Sequence, residues 1–170
     1  TNTSCIINDQ IFNIESGGFS KFPILNFDND LDKHSENQGY YRFEKAIAGA
    51  YLGTLTLRLL QRLALDNLLS TKAQASLLMM HELSTYYFSE LVNGDVNDNN
   101  IFFSEIFSDI DREIIISVFE IIIERASIFA AVNIASAALY SNRCSDDNVC
   151  ITIDGSTCFK TPKMYKQIKD

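Results

Sequence analysis

The chain has 170 residues, of which 46% are apolar, and its formal net charge is −8. The apolar share is enough for a folded core and excludes the disordered class, while the acidic balance disfavours nucleic acids and anionic membranes as partners. The four cysteines lack the paired spacing of a zinc site, so no metal site is expected. Whether Cys144 and Cys150 form a disulfide is left open.

Turn-forming residues divide the N-terminal part into a short hairpin and a long polar loop. Residues 1–12 are β-branched or apolar on both sides of Asn8-Asp9-Gln10, which predicts a tight β-hairpin. Residues 16–40 are rich in Asn, Asp, Ser and Gly and predict a structured loop. Two carboxylates, Glu15 and Glu44, stand near the two ends of this loop.

Helical periodicity begins at Arg42 and continues through most of the remaining sequence. A second helix is expected over residues 72–88, capped by Ser70-Thr71, and a polar loop over residues 93–100. The longest helix is expected over residues 109–142. Charged residues in its middle argue against a membrane span, because each costs about 2.5–3.5 kcal/mol at a bilayer centre. In the first of these helices, which is expected to begin at Arg42, the apolar positions that recur every four residues are Phe43, Ile47, Tyr51, Leu55, Leu59 and Leu63.

The C-terminal segment predicts a strand, a turn and a last helix. Val149-Cys150-Ile151-Thr152-Ile153 is mostly β-branched and predicts a short buried strand. Asp154-Gly155-Ser156 predicts a turn, and residues 161–168 predict the final helix.

The strongest candidates for ligand recognition are Glu15 and Glu44. An ionised carboxylate accepts several hydrogen bonds at once, so two of them suit the ring hydroxyls of a hexose. Gly17 and Gly18 beside Glu15 let a ligand approach the backbone. Glu44 is expected near a helix N-terminus, where the macrodipole favours a negative charge. Taken singly, each glutamate is explained as well by a solvated surface position, and only the joint spacing favours a site.

That joint spacing resembles the hexokinase family. The run from Asn13 to Phe19 resembles the family motif N-T-E-W-G-A-F, and the run from Asp28 to Lys45 resembles Y-D-x-x-V-D-x-x-S-x-N-P-G-x-Q-x-F-E-K. The matching residues are Asn13, Glu15, Gly17, Phe19, Asp28, Asp32, Ser35, Asn37, Gly39, Phe43, Glu44, Lys45, Gly49, Tyr51, Leu52 and Gly53.

The resemblance implies an α/β protein with the actin-like ATPase (ribonuclease H-like) fold. Residues 1–170 would form a C-terminal, helix-rich segment of the large lobe, with a short hairpin and a late strand. The implied reaction is ATP-dependent phosphorylation of a hexose, most readily glucose, at O6, with Mg²⁺ carried largely by the nucleotide. The catalytic aspartate and the N-terminal lobe are expected to lie outside this chain. No catalytic residue is therefore expected here, and this segment alone is expected to be inactive.

The family motifs also imply which residues meet each substrate. Glu15 and Glu44 would accept hydrogen bonds from sugar hydroxyls, with Asn13 as a helper. Several positions depart from the family pattern. Ile6 replaces a sugar-binding asparagine, Ser16 an aromatic residue, Gln38 a proline, and Asn133 a small residue, usually glycine. Asn2 and Ser4 replace the two glycines of the family's phosphate-binding turn. The nucleotide-binding residues implied are Thr3, Gly49, Ala50, Thr71, Lys72, Gly155 and Ser156.

Two alternatives from other functional classes stay open. One is a hexokinase-derived protein that binds sugar without catalysis, which Ile6 favours. The other is an acidic helical interaction module that keeps only the fold. A homodimer through an exposed apolar face is a further expectation. The compartment is left open, with the cytoplasm as the default expectation and secretion as the alternative.

Overall fold

A computed structural model describes residues 3–7, 10–141 and 150–170. In these ranges two short strands, β1 (Ser4–Ile7) and β2 (Gln10–Asn13), pair antiparallel. The pairing confirms the predicted hairpin. Of its predicted turn residues, Asn8 and Asp9 lie outside the described residues, and Gln10 begins β2.

Helices make up most of the described chain, together with two short 3-10 turns at Ser16–Gly18 and Ile101–Phe103. The α-helices are α1 (Asn26–Lys33), α2 (Arg42–Ile47), α3 (Gly49–Leu65), α4 (Thr71–Met79), α5 (Thr85–Asn93), α6 (Asp109–Tyr140), α7 (Ser156–Lys160) and α8 (Met164–Lys169).

The loop expected over residues 16–40 contains a helix, α1, that the sequence did not predict. Asp28 caps the start of α1, because its carboxylate accepts the Leu25 amide at 2.8 Å while its own amide donates to the Leu25 carbonyl at 3.1 Å. α1 is mostly polar, and Leu31 is its one fully buried apolar side chain. A single buried apolar residue cannot show a helical period, so the hydrophobic pattern did not predict α1.

Two of the expected helices are each divided in the structure. Ala48 is extended (φ −81°, ψ 137°), so the helix expected from Arg42 becomes α2 and α3. The apolar period runs across the break because both helices face one core. The helix expected over residues 72–88 becomes α4 and α5. Gln61 of α3 donates to the carbonyls of Leu77 and Met80 at 2.9 and 2.8 Å, which satisfies the end of α4.

The long helix α6 agrees closely with its predicted range and packs against α2, α3, α5 and α8. Ser108 caps its start, since the Asp111 amide donates to Ser108 Oγ at 3.2 Å and the Ser108 amide donates to Asp111 Oδ2 at 2.9 Å. No helix in the described ranges is both long and apolar enough to cross a bilayer. The core beside α6 includes the buried aromatic residues Phe88, Phe102, Phe107 and Phe119.

The late strand was predicted wrongly where it can be described. Residues 150–153 form no strand in the described chain, and Ile151 is 51% exposed. A strand needs a neighbour for its backbone groups, and the two described strands pair with each other. Val149 lies outside the described residues, as does Cys144 with its suggested disulfide. The final helix expected over residues 161–168 is present as α8, three residues later at its start, and α7 before it was not predicted.

Candidate functional site

The two candidate sugar-binding carboxylates lie on elements that pack together. Glu15 follows β2 with a left-handed backbone (φ 49°) and leads into the 3-10 turn at Ser16–Gly18, which packs against α2. Glu44 lies in the first turn of α2. The ring of Phe19 meets the ring of Phe43 edge-on, with centroids 6.0 Å apart. Glu15 is exposed and Glu44 is partly exposed, so both carboxylates lie at the surface where the 3-10 turn packs against α2.

Asn13 orients Glu15 from the end of the hairpin. Its side-chain amide donates to Glu15 Oε1 at 2.6 Å, and its side-chain carbonyl accepts a hydrogen bond from Ser4 Oγ at 3.5 Å. Ser4 lies opposite Asn13 in the strand register. A carboxylate has about four acceptor positions, so the bond from Asn13 fixes Glu15 and still leaves acceptor capacity for ligand hydroxyls.

A buried ion pair supports the loop that precedes Glu44. Lys45 Nζ donates to Asp32 Oδ1 and to the Asn37 carbonyl, each at 2.6 Å, and the side chains of Lys45 and Asp32 are only 5% and 7% exposed. Burial by itself raises the pKa of Asp32, but hydrogen bonds from Lys45 and the Gly39 amide, with the charges of Lys45 and Arg42, hold that pKa below its ordinary value. These motif residues therefore hold the loop in place.

A second ion pair joins α1 to α6. Arg125 donates to both oxygens of Asp28, at 3.0 and 2.6 Å, in the two-pronged geometry that guanidinium groups favour. The guanidinium also lies over the rings of Phe27 and Phe129, 5.3 and 4.8 Å from their centroids. Asp28 thus has a clear structural role in this chain.

Two departures from the family pattern, Ser16 and Asn133, meet at Thr3. Asn133 Nδ2 donates to Thr3 Oγ1 at 2.6 Å, and the hydroxyls of Thr3 and Ser16 are 3.0 Å apart. This contact ties α6 to the residue just before β1 and to the turn after Glu15. Thr3 therefore lies beside the carboxylate region.

A separate cavity of about 290 Å³ lies where α3, α5 and α7 begin. Helix N-termini present backbone N–H groups and a partial positive charge, a combination that favours anions. Of the described residues that line this cavity, none is a carboxylate and one, Lys160, is charged. The lining residues are Gly49, Ala50, Thr85, Tyr86, Ser89, Ser156, Thr157, Lys160 and Thr161.

Two glycines of α3 allow the walls of this cavity to come close. A Cβ on Gly49 would lie 2.4 Å from Thr157 Oγ1, and a Cβ on Gly53 would lie 2.2 Å from the Leu83 carbonyl oxygen. The Thr85 hydroxyl enters the first turn of α3, where it accepts the Gly53 amide at 2.8 Å and donates to the Gly49 carbonyl at 2.6 Å. In a regular α-helix the Gly53 amide would donate directly to the Gly49 carbonyl, and here the Thr85 hydroxyl bridges these two groups.

Comparison with known proteins assigns the family. The sequence profile of the family described as Hexokinase matches residues 4–170 of this chain. The chain belongs to the hexokinase family. Among curated hexokinases, Hexokinase-7 of Oryza sativa subsp. japonica is 41% identical over 61 residues, which are 35% of this chain and 13% of the rice protein. The chloroplastic Hexokinase-2 of Nicotiana tabacum is 42% identical over 57 residues, which are 33% of this chain and 11% of the tobacco protein.

Solved hexokinases share the fold. The hexokinase of Schistosoma mansoni complexed with glucose matches 94% of this chain and 38% of its own chain, with a TM-score of 0.76 and 23% identity. A second hexokinase crystal structure matches 94% of this chain and 36% of its own, with a TM-score of 0.71 and 20% identity. The chain thus spans little more than a third of these hexokinases. The predicted actin-like ATPase fold is confirmed.

Only part of the predicted nucleotide set of a hexokinase comes together in the cavity. Gly49, Ala50 and Ser156 line it, and Gly155 sets the start of α7 with a φ of 124°. Thr3 contacts Asn133, as described above, and does not appear in the lining.

Thr71 and Lys72 lie away from the cavity, at the exposed start of α4. α4 runs back along α3, because Gln61 contacts the end of α4 and Gly53 contacts Thr85 further on. The start of α4 is therefore near the C-terminal end of α3, a helix about 24 Å long, while the cavity lies at its N-terminal end.

Six lining residues were not predicted from the sequence: Thr85, Tyr86, Ser89, Thr157, Lys160 and Thr161. The available signal was the Thr85-x-x-x-Ser89 spacing, which places two hydroxyls on one face of a helix. That signal was hidden because the break between α4 and α5 was not predicted, so Thr85 looked like the interior of one helix.

Proposed function

We propose that this chain is the part of a hexokinase that holds a hexose and ATP for phosphorylation of the sugar at O6. The observation that carries the proposal is the packing of the 3-10 turn after Glu15 against α2, the helix that contains Glu44. The 2.6 Å bond from Asn13 orients Glu15 at this joint. Membership in the hexokinase family supports the reading, and the Schistosoma mansoni protein that shares the fold is a hexokinase complexed with glucose.

The sugar side of the proposal rests on acceptor chemistry. Glucose presents a ring of hydroxyl donors, and hydrogen bonds to charged groups contribute about 1.5–3 kcal/mol each. Glu15 and Glu44 supply two anionic acceptors on adjoining elements, and Asn13 holds the first in position. We assign Glu15 and Glu44 to sugar hydroxyls and Asn13 to the support of Glu15.

The nucleotide side of the proposal rests on the cavity between α3, α5 and α7. Its helix N-termini and Lys160 suit the phosphates of ATP. Mg²⁺ prefers oxygen ligands, above all carboxylates and phosphates. The described lining offers no carboxylate, and the described residues contain no cluster of three His, Cys, Asp or Glu side chains fit for a metal. The fitting arrangement is therefore Mg²⁺ carried by the phosphates of ATP, where it offsets their charge.

We assign no catalytic residue to this chain. Phosphoryl transfer depends largely on positioning and on stabilisation of charge. The two proposed substrate sites account for positioning, and the group that accepts the proton of the sugar hydroxyl is not among the residues assigned here. We expect the chain on its own to bind glucose and ATP without turning them over.

Calorimetry with glucose tests the sugar site. Because Glu15→Gln removes the charge and keeps the shape, we expect it to weaken glucose binding at least tenfold. Glu36→Gln is the matched control, since Glu36 is an exposed carboxylate in the loop before α2. Absence of glucose binding by the folded, unmodified chain would overturn the sugar assignment and favour the interaction module.

The second candidate is a sugar-binding protein without catalysis. Ile6, at the place of the family's sugar-binding asparagine, is 51% exposed on β1 and has no side-chain group that can bond a hydroxyl. A coupled assay for glucose 6-phosphate on the whole protein that contains this chain decides between the two. Glucose binding with no product would select the second candidate.

A further inference from the structure

Thr3 holds the backbone on both sides of Glu15. Its carbonyl accepts the Ile14 amide at 2.8 Å, and its hydroxyl oxygen lies 3.0 Å from that of Ser16. Glu15 itself has a left-handed backbone (φ 49°), which a residue with a Cβ keeps only where its surroundings enforce it. Ser16 is 5% exposed, so its contact with Thr3 is largely shielded from water. The contacts with Thr3 therefore set the direction in which the Glu15 side chain leaves the turn.

Asn133 of α6 anchors Thr3. Its Nδ2 atom donates to Thr3 Oγ1 at 2.6 Å and makes a second, longer contact with Ser16 Oγ at 3.4 Å. An amide nitrogen has two hydrogens, so one side chain can serve both hydroxyls. Ser16 and Asn133 both depart from the family pattern, and the family motifs therefore do not imply this link between α6 and the turn after Glu15.

The same face of α6 also supports the segment that contains Glu44. Phe129 lies four residues before Asn133, about one turn away on the same side of the helix, and its ring packs against the ring of Phe43 with centroids 6.0 Å apart. Phe43 immediately precedes Glu44 in α2. Two positions of one helix, about 6 Å apart along its axis, therefore contact the segments that carry the two carboxylates.

We propose that Asn133 is a positioning residue of the sugar site. Through Thr3 and Ser16 it keeps Glu15 at a fixed spacing from Glu44, and it acts without touching the sugar itself. A carboxylate that is already held in place loses less conformational freedom when a ligand binds, so its hydrogen bonds contribute more to affinity. This inference rests on the proposed assignment of Glu15 and Glu44 to sugar hydroxyls, and it adds the residue that holds the first carboxylate relative to the second.

Calorimetry of the full chain with glucose, in a double-mutant cycle, tests this role. Asn133→Ala should weaken glucose binding about tenfold, because Glu15 is no longer held in place. In a chain that already carries Glu15→Gln, the same substitution should weaken binding by less than about threefold, because the charge that Asn133 positions is gone. A purely structural role would give the same factor in both backgrounds. Ser136→Ala is the matched control, since Ser136 is an exposed polar residue of the same helix.

Thr3→Val tests the same link from its other end. It removes the hydroxyl and keeps the shape of the side chain, so it should reproduce the loss seen in Asn133→Ala. Combining the two substitutions should add less than about twofold, because both break one chain of contacts. Circular dichroism of each variant establishes that it is folded, and Thr3→Val takes the place of Asn133→Ala in the cycle with Glu15→Gln if the latter does not fold.

Two results would overturn the positioning role, and they can be told apart. If the unmodified, folded chain binds no glucose, the sugar part of the proposed function fails and the role of Asn133 fails with it. If the unmodified chain binds glucose but Asn133→Ala leaves the affinity within about twofold, or loses the same factor when Glu15→Gln is present, only the role of Asn133 fails. The assignment of Glu15 to the sugar then stands on its own substitution.

Discussion

Charged side chains set the geometry around Glu15 and Glu44, whereas two glycines set it around the cavity between α3, α5 and α7. In the first region, Lys45 forms a buried ion pair with Asp32 beneath the loop before Glu44. In the second, Gly49 and Gly53 let neighbouring segments approach to distances that any Cβ would block. The first region depends on contacts that charged side chains make. The second depends on close approaches that are possible because Gly49 and Gly53 have no Cβ. The two regions should therefore respond to different substitutions.

Lys45→Met is the largest test of the charge-built region. It leaves the carboxylate of Asp32 buried without its closest cation, and breaking a buried pair costs about 3–5 kcal/mol of unfolding free energy. Urea denaturation measures this loss, and calorimetry should show weaker glucose binding because the loop before Glu44 is released. Lys33→Met is the control, since Lys33 is 63% exposed and its pair with Asp30 contributes little. Equal stabilities for the two variants would contradict a supporting role for Lys45.

Gly53→Ala is the corresponding test of the glycine-built region. Alanine normally stabilises a helix interior relative to glycine, but here its Cβ would meet backbone at 2.2 Å from Leu83 and 2.4 Å from Thr85. We expect a loss of about 2–3 kcal/mol in denaturation and weaker ATP binding, because the start of α5 must move. Glucose binding should persist. Gly18→Ala is the control, since a Cβ there meets nothing within 4 Å; a neutral Gly53→Ala would contradict the close approach.

This contrast explains how much of the molecule could be predicted from its sequence. The proposed sugar-binding residues Asn13, Glu15 and Glu44 were named because charged and amide side chains at fixed spacings are visible in a sequence. The hairpin and α6 were predicted from patterns that continue over their own length. The cavity was only partly predicted, since it depends on which helix starts meet, and that follows from tertiary packing.

The elements that were predicted wrongly also depend on tertiary contacts that the local sequence does not show. α1 carries few apolar residues, and its start depends on the carboxylate of Asp28, whose second partner, Arg125, is on a distant helix. The extended Ala48 and the break before Thr85 leave the hydrophobic period intact, so periodicity alone joined what the backbone divides. The predicted late strand, residues 149–153, needed a partner strand that no pattern within that segment can reveal.

Asp111→Asn extends the comparison to the joint between α4 and α6, which is also built on charge. Asp111 accepts the Ser70 amide at 2.8 Å and the hydroxyls of Ser70 and Ser108 at 2.7 and 2.6 Å. Burial by itself raises the pKa of Asp111, but these hydrogen bonds outweigh burial and hold the pKa below its ordinary value of 3.8. Removing the charge should cost about 1.5–2 kcal/mol at neutral pH.

The pH dependence of that loss has a definite sign. A carboxyl whose folded pKa is lowered stabilises the fold above its ordinary pKa, and the stabilisation disappears as pH falls through the lowered value. The difference in unfolding free energy between the unmodified chain and Asp111→Asn should therefore be full at pH 7 and pH 5 and shrink below pH 4. Urea denaturation at these pH values measures it. Asp109→Asn is the control, because Asp109 is 95% exposed in the same helix turn. A difference that grows toward acid would contradict the assignment.

Lys72→Ala gives the smallest expected effect and separates the sequence-based assignment of the nucleotide site from the structural one. The sequence favoured Lys72, whereas the structure places it beyond the far end of α3 from the cavity that Lys160 lines. An exposed lysine separated from a ligand by the length of α3, about 24 Å, is screened over roughly three Debye lengths at physiological salt. ATP affinity should therefore stay within twofold in Lys72→Ala and fall about tenfold in Lys160→Ala. The reverse pattern would move the nucleotide to the start of α4, where the hydroxyl of Thr71 and the helix N-terminus would have to hold the phosphates in place of α7.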